Sequence, residues 1–179
     1  MRKGILLLGG SGMRFRPITK IINKHLFPIL NRPIFYYSLS CLMLSNIREI
    51  NIVSDRNTIK LLKKIIGNGS QIGLKLKFTI QKKPGGIPEG IKLSKKFIGK
   101  SRYALMLGDN FFYSDNLIKI LSQISKRKEN TIISYKVEKP ENFGVIKRNR
   151  LNKLIKIIEK PKKYISNLAV TGLYFYENS

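Results

Sequence analysis

The chain is poor in the residues that staple small folds and bind soft metals. Its 179 residues include one cysteine, one histidine and no tryptophan. A single cysteine excludes an internal disulfide and any cysteine metal cluster, and one histidine beside it leaves too few ligands for zinc chemistry. Acidic residues are also scarce, with 10 Asp plus Glu against 35 Lys plus Arg and a formal net charge of +25. No apolar run is long enough to span a bilayer. Residues 1–10 begin charged and turn apolar, but they lack the longer stretch and small-residue cleavage site of a signal peptide. These absences imply a soluble, reduced, cytoplasmic chain with no membrane partner.

What is present is globular. Hydrophobic residues make up 42% and charged residues 25%, values that exclude general disorder and suit one domain with a real core. The positive charge raises nucleic acid as a partner. However, Lys82-Lys83, Lys95-Lys96, Lys126-Arg127-Lys128 and Lys162-Lys163 are short clusters spread along the chain, with no basic tail. Lys, Ile and Asn are abundant together, as AT-rich codon usage gives. No specific nucleic-acid partner is expected, and the charge favours small anionic substrates.

The pattern along the chain alternates. Residues 4–8, 49–53, 74–80, 103–107 and 131–137 read as strands. Residues 34–44, 58–66 and 87–97 read as helices, and another, capped by Ser114 or Asp115, runs to about Ser125. After Pro140, residues 143–147, 154–158 and 169–176 read as strands with few helical signals between them. This order implies an α/β fold: a Rossmann-like, mostly parallel sheet with helices on both faces. Ligands of such sheets bind beyond the carboxyl ends of the strands, which draws attention to the residues after Leu8 and Leu107.

Gly9-Gly10-Ser11-Gly12-Met13-Arg14 follows the first strand directly. It is neither a dinucleotide fingerprint nor a Walker A loop. Three glycines in four positions let the backbone approach a ligand closely, and successive N–H groups can converge on phosphate oxygens. Arg14 and Arg16 add forked cationic donors, and Lys24 lies shortly beyond. A tight turn with solvated arginines is the plainer alternative; phosphate binding is the stronger reading.

With Pro17-Ile18-Thr19-Lys20 and Lys24-His25-Leu26-Phe27-Pro28, this stretch resembles the sugar-nucleotide pyrophosphorylases. Within that group it is most similar to the glucose-1-phosphate thymidylyltransferase (dTDP-glucose pyrophosphorylase) family. The resemblance continues through 33–39, 42–44, Leu107-Gly108-Asp109-Asn110-Phe111-Phe112-Tyr113, Phe143-Gly144-Val145, Glu159-Lys160-Pro161 and 169–176, in family order. It implies a single nucleotidyltransferase domain over 1–179, with a nucleotide-binding part to about 138 and the start of a sugar-binding part from about 139. It also implies Mg²⁺-dependent transfer of thymidylate from dTTP to α-D-glucose 1-phosphate, releasing pyrophosphate, as the first step of dTDP-L-rhamnose or deoxysugar and polysaccharide synthesis.

Carried over by position, the resemblance makes Arg14, Lys24 and Asp109 catalytic, with Asp109 the metal ligand. Gly9, Gly10, Ser11, Gly12, Met13, His25, Gln81 and Gly86 complete the nucleotide site, Gln81 meeting the thymine edge. Asn110, Gly144, Glu159, Lys160 and Val170 form the sugar-phosphate site. The chain departs from the family at Met13 (usually Thr), Leu8 (Ala), His25 (Gln), Phe143 (Tyr) and Ile87-Pro88-Glu89-Gly90 (Leu-Ala-Gln-Ala). His25 is expected either to alter nucleotide recognition or to be a tolerated surface residue. Glu89 is expected to set an unhelpful negative charge near an anionic substrate. Family members are usually homo-oligomers and continue beyond Ser179, where a second metal-binding Asp and much of the oligomer contact lie. Two alternatives accompany this expectation: a remnant that binds nucleotide without turnover, and a basic nucleic-acid-binding protein.

Overall fold

The structure is a computed structural model that describes all residues except 1, 11, 84, 152, 178 and 179. The chain divides into two compact units, one of residues 1–131 with 175–179, the other Ile132–Tyr174.

The first unit holds β1 (Lys3–Leu7), a two-residue hairpin of β2 (Pro28–Ile29) and β3 (Arg32–Pro33), α1 (Ile34–Leu44), β4 (Glu49–Ser54), α2 (Arg56–Ile66), β5 (Lys75–Ile80), α3 (Gly86–Ile98), β6 (Tyr103–Leu107) and α4 (Leu117–Lys126). Strands β5, β4, β1 and β6 lie side by side in that order, every neighbouring pair parallel. Strand β1 is central and its Ile5 and Leu6 are fully buried, which explains its unbroken apolar run.

Helices cover both faces, and the pleat shows why. A Cβ on Gly4 would meet Leu42 of α1, whereas Leu7 packs so closely on Gly90 of α3 that a Cβ there would lie 2.5 Å from it. Residues three apart on a strand point to opposite faces, so α1 and α3 lie on opposite sides of β1. On the α3 side the buried polar groups are partnered: Thr79 Oγ1 donates to Asn51 Oδ1 at 2.9 Å, and Asn51 Nδ2 donates to Ser94 Oγ at 2.9 Å.

The second unit contains the remaining strands, β7 (Thr131–Lys136, whose first residue belongs to the first unit), β8 (Gly144–Arg148), β9 (Leu154–Glu159) and most of β10 (Leu168–Tyr176). Strand β8 pairs antiparallel with β9 and β10, and β7 pairs with β10. The change of pattern after Pro140 therefore marks a change from crossover helices to antiparallel pairing.

Two helix starts differ from the expected ones. Helix α2 begins at Arg56, because Asp55 caps it by accepting from Thr58 N at 2.9 Å. Helix α4 begins at Leu117 after Asn116, later than a cap at Ser114 or Asp115 would give. The Ser114 hydroxyl accepts from Asn116 N at 3.4 Å, two residues on, and so forms a turn ahead of the helix.

Arg2 ties the end of the chain to the first unit. Its buried guanidinium donates to the carbonyls of Tyr176 (2.9 Å) and Arg127 (2.8 Å) and pairs with Glu177 Oε1 at 2.7 Å. Arg2→Met is expected to cost about 2–4 kcal/mol in urea unfolding, because it strands buried acceptors. A change within ~0.5 kcal/mol, the ordinary surface range, would contradict this.

Candidate functional site

The site is built outward from one carbonyl. Beyond β1, buried Leu8 still donates its N–H to Val53 O at 2.9 Å. Its own oxygen accepts from Asn23 Nδ2 (3.0 Å) and Ser54 Oγ (2.8 Å). The chain then opens into exposed Gly9 and Gly10, and Gly10 takes a φ of 124°, a conformation that glycine permits at little cost. Gly12 has a φ of 55°, its oxygen accepts from Thr19 Oγ1 at 2.8 Å, and a Cβ there would lie 2.8 Å from Thr19 Cγ2. Ser11 lies outside the described residues. Met13 and Arg14 follow in an exposed single 3-10 turn, Met13–Phe15.

The loop after β6 meets this turn. Gly108 N donates to Leu7 O at 2.9 Å, and a Cβ at Gly108 would fall 2.0 Å from Leu8 Cδ2 and 2.9 Å from His25 Cδ2. Only a bare position lets Leu8 and His25 pack beneath the loop that carries Asp109. From α1, Ser38 Oγ donates to Asn110 O at 2.9 Å and holds the loop from the other side. Asn110 Nδ2 donates to Asp109 Oδ1 at 3.2 Å. Lys24 Nζ, alongside Gly10, forms an ion pair with Asp109 Oδ2. Burial alone would raise the Asp109 pKa; the Lys24 hydrogen bond and charge, with His25 adding, hold it below the usual carboxylate range.

His25 is not a surface residue. It is 1% exposed, and its Nδ1 lies 2.5 Å from Asn23 Oδ1. The amide oxygen only accepts, so Nδ1 carries the proton and Nε2 is the acceptor. Burial lowers the His25 pKa from 6.5 to about 4, with Lys24 adding and Asp109 and Asp55 opposing. Asn23 Nδ2 also reaches Asp55 Oδ2 at 3.2 Å. Burial would raise the Asp55 pKa, but the Thr58 hydroxyl and N–H and the Asn23 amide more than offset it. Asn23, Ser38, Ser54 and Asp55 were not singled out from sequence. The Asp55-to-Thr58 capping spacing is a readable signal for the last; Ser38 and Ser54 act through contacts distant in sequence, and Asn23 joins a distant contact with Leu8 to a local one, accepting from His25 N at 3.0 Å.

Gln81 continues from β5, and its N–H donates to Ser54 O at 2.8 Å. Its Nε2 donates to Glu89 Oε2 at 2.7 Å, and its Oε1 rests where a Cβ on Gly9 would be, 2.7 Å away. Glu89 is thus bound to Gln81 rather than standing as an unpartnered charge. Gly86, with a φ of 71°, opens α3. Two crevices meet here: one of about 710 Å³ along Met13 and Arg14, one of about 310 Å³ along Gln81, Gly86 and His25. Gly10, Lys24 and Asp109 border both.

The remaining predicted residues lie in the second unit. Gly144 pairs with Glu159 across β8 and β9, and a Cβ on Gly144 would lie 2.8 Å from Glu159 Oε2. Lys160, with a φ of 42°, donates its N–H to Phe143 O at 3.0 Å. Val170 follows Ala169, which pairs with Val145. Glycine, carboxylate, lysine and valine therefore share one end of the antiparallel strands. A cavity of about 770 Å³ elsewhere in this unit, bordered by Lys136, Lys162, Lys163 and Tyr164, includes none of the predicted residues.

The family model described as nucleotidyl transferase matches residues 3–179. The chain belongs to the nucleotidyl transferase family. Relatives named glucose-1-phosphate thymidylyltransferase include one from Neisseria meningitidis serogroup A, 39% identical, and one from Xanthomonas campestris pv. campestris, 41% identical, each matched over 98% of this chain. The chain spans 62% and 60% of the length of those relatives. A crystal structure of a Bacillus anthracis protein assigned as a glucose-1-phosphate thymidylyltransferase, in complex with a sucrose, superposes with a TM-score of 0.89 at 34% identity, over 99% of this chain and 72% of that one. A UDP-glucose pyrophosphorylase complexed with UDP-glucose superposes with a TM-score of 0.78 at 26% identity, covering 98% and 76%. The expected nucleotidyltransferase fold is therefore the observed one.

The neutral buried His25 has a consequence for stability. The unfolded histidine takes a proton near pH 6.5, whereas the folded one resists until about pH 4. Stability is therefore expected to fall as pH drops through that window, by at most about 1.4 kcal/mol per pH unit. Asp55 and Asp109, both held below 3.8, contribute fully above it and lose their contribution only at lower pH. Urea unfolding at pH 7, 6 and 5 should show a steeper loss for wild type than for His25→Gln; parallel profiles would contradict the assignment.

Proposed function

We propose that the protein transfers the thymidylyl group of dTTP to α-D-glucose 1-phosphate, giving dTDP-glucose and pyrophosphate at the start of a deoxysugar route. The observation that carries this reading is the junction of Gly10, Lys24 and Asp109 between two crevices. It provides a bare backbone, a cation and a carboxylate where a triphosphate chain can lie. The names of the relatives support this choice of substrates.

A glucose 1-phosphate oxygen attacks the α-phosphorus in line, and the bond to the bridging oxygen breaks with its electron pair leaving on pyrophosphate. The phosphate monoester has a second pKa near ~6, so the nucleophile is already anionic and no general base is required. The protein's task is alignment and charge relief. Backbone N–H groups of Gly9, Gly10, Gly12 and Met13 line the triphosphate, and Ser11 is proposed beside them from its position in the sequence alone. Arg14 holds the leaving pyrophosphate. Lys24 moves its ammonium from Asp109 to the α-phosphate. Gln81 meets the base edge above Gly86, and His25 supports the floor as a neutral ring. From their positions in the sequence, Asn110 of the first unit and Gly144, Glu159, Lys160 and Val170 of the second are each proposed as sugar-phosphate contacts.

Asp109 fits a magnesium ion as a single hard-oxygen ligand: it is ionised and its side chain is 37% exposed. Mg²⁺ accepts one carboxylate together with substrate phosphates. Among the described residues no group of three or more His, Cys, Asp or Glu forms an all-protein cage. When bound, the ion neutralises the triphosphate charge.

Pyrophosphate release from dTTP, glucose 1-phosphate and Mg²⁺ tests the reading. Arg14→Ala and Asp109→Ala are each expected to lower kcat about 10²–10³-fold, the usual loss of one preorganised group. Wild-type rates in both would overturn the assignment. Binding of dTTP without pyrophosphate release would favour the nucleotide-binding remnant.

A further inference from the structure

Gln81 is held at one end by Glu89 and has room at the other above Gly9, and the hold has a chemical direction. On one side its Nε2 donates to Glu89 Oε2 at 2.7 Å. Glu89 stands in the first turn of α3, where negative charge is favoured. Its carboxylate folds back into the space above Gly85, where a Cβ would come within 2.0 Å of Oε2. On the other side, Gln81 Oε1 occupies the space above Gly9, where a Cβ would come within 2.7 Å. Two positions without side chains thus make room for the amide and for the group that holds it.

A carboxylate only accepts hydrogen bonds, so the amino end of the amide must face Glu89 and the oxygen end must face Gly9. Reversing the amide would set oxygen against oxygen. With one N–H committed to Glu89, Gln81 keeps an acceptor oxygen and a second N–H, and it lines a crevice together with Gly9 and Gly86. That edge complements a ring N–H beside an exocyclic carbonyl, as in thymine or uracil. The reversed edge would complement a ring nitrogen acceptor beside an exocyclic amine, as in cytosine.

We propose that Glu89 is a positioning residue for nucleobase selectivity, locking the Gln81 amide in the orientation that accepts a thymine-type edge and rejects a cytosine-type edge. The inference rests on the nucleotide reading above, in which Gln81 meets the base. Glu89 acts through Gln81 alone, so its loss should change the ratio of affinities and not merely their level.

Calorimetric titration of the full chain with dTTP and with dCTP, both with Mg²⁺, tests this. Glu89→Ala frees the amide to turn and is expected to narrow the dTTP-to-dCTP affinity ratio by about tenfold or more, the scale of one mismatched polar contact. Glu89→Gln offers Gln81 either an acceptor oxygen or a donor N–H, so it fills the same space without fixing the amide and should narrow the ratio in the same direction as Glu89→Ala. Gly85→Ala pushes the carboxylate aside without removing it and should narrow the ratio as Glu89→Ala does; it serves if the latter fails to fold. Equal weakening of both nucleotides, with the ratio unchanged in Glu89→Ala or Gly85→Ala, would overturn the role of Glu89 and leave the nucleotide reading intact. A wild-type protein that binds neither nucleotide would overturn both.

Discussion

The Lys24 ammonium and the Asp109 carboxylate meet across the gap between the loops that leave β1 and β6. Their strands are parallel neighbours in register, Leu7 opposite Leu107, so both loops start at the same level of the sheet. Gly108 then keeps Asp109 low enough for the two charges to touch, because any side chain there would collide with Leu8 and His25. In a chain of net charge +25, this carboxylate is neutralised from within. In the proposed reaction an anionic ligand with its own cation exchanges with that pair, Lys24 passing to the phosphate side as Asp109 is released. The resting protein and the proposed working one differ by this exchange of partners.

The floor under the pair is polar but satisfied. Asn23 links the Leu8 carbonyl, the His25 ring and the Asp55 cap of α2. Among the described residues no buried side-chain nitrogen or oxygen lacks a hydrogen-bond partner. Burial keeps His25 uncharged near neutral pH, so the ring adds no third charge beneath Lys24 and Asp109. Preorganisation of this kind lets a loop carry chemistry while the strand behind it stays rigid.

Much of this was legible in the residue order. The unbroken apolar run of β1, ended by glycines, and the buried run of β6, ended by Gly108-Asp109, each marked a strand with a loop at its carboxyl end. The Gly144, Glu159 and Lys160 grouping was likewise visible as motifs, and β8 and β9 bring it together through their register. What stayed hidden depends on contacts that form only as the chain folds back on itself or turns locally. The residue order leaves His25 open between a nucleotide contact and a tolerated surface residue, and only the packing of Leu8 and Gly108 against it excludes the surface. Glu89 reads as a misplaced charge until α3 turns it back onto Gln81, eight residues earlier. The start of α4 was missed because Ser114, a good capping residue by type, spends its hydroxyl on a local turn.

The central claim is that a triphosphate lies across Gly10 and separates Lys24 from Asp109. A crystal structure of the protein grown with dTTP and Mg²⁺ tests it most directly. The account predicts phosphate density in contact with the glycine turn, the Lys24 ammonium turned onto a phosphate oxygen, and Asp109 released from Lys24. A nucleotide bound elsewhere, with the Lys24–Asp109 pair still closed, would contradict it.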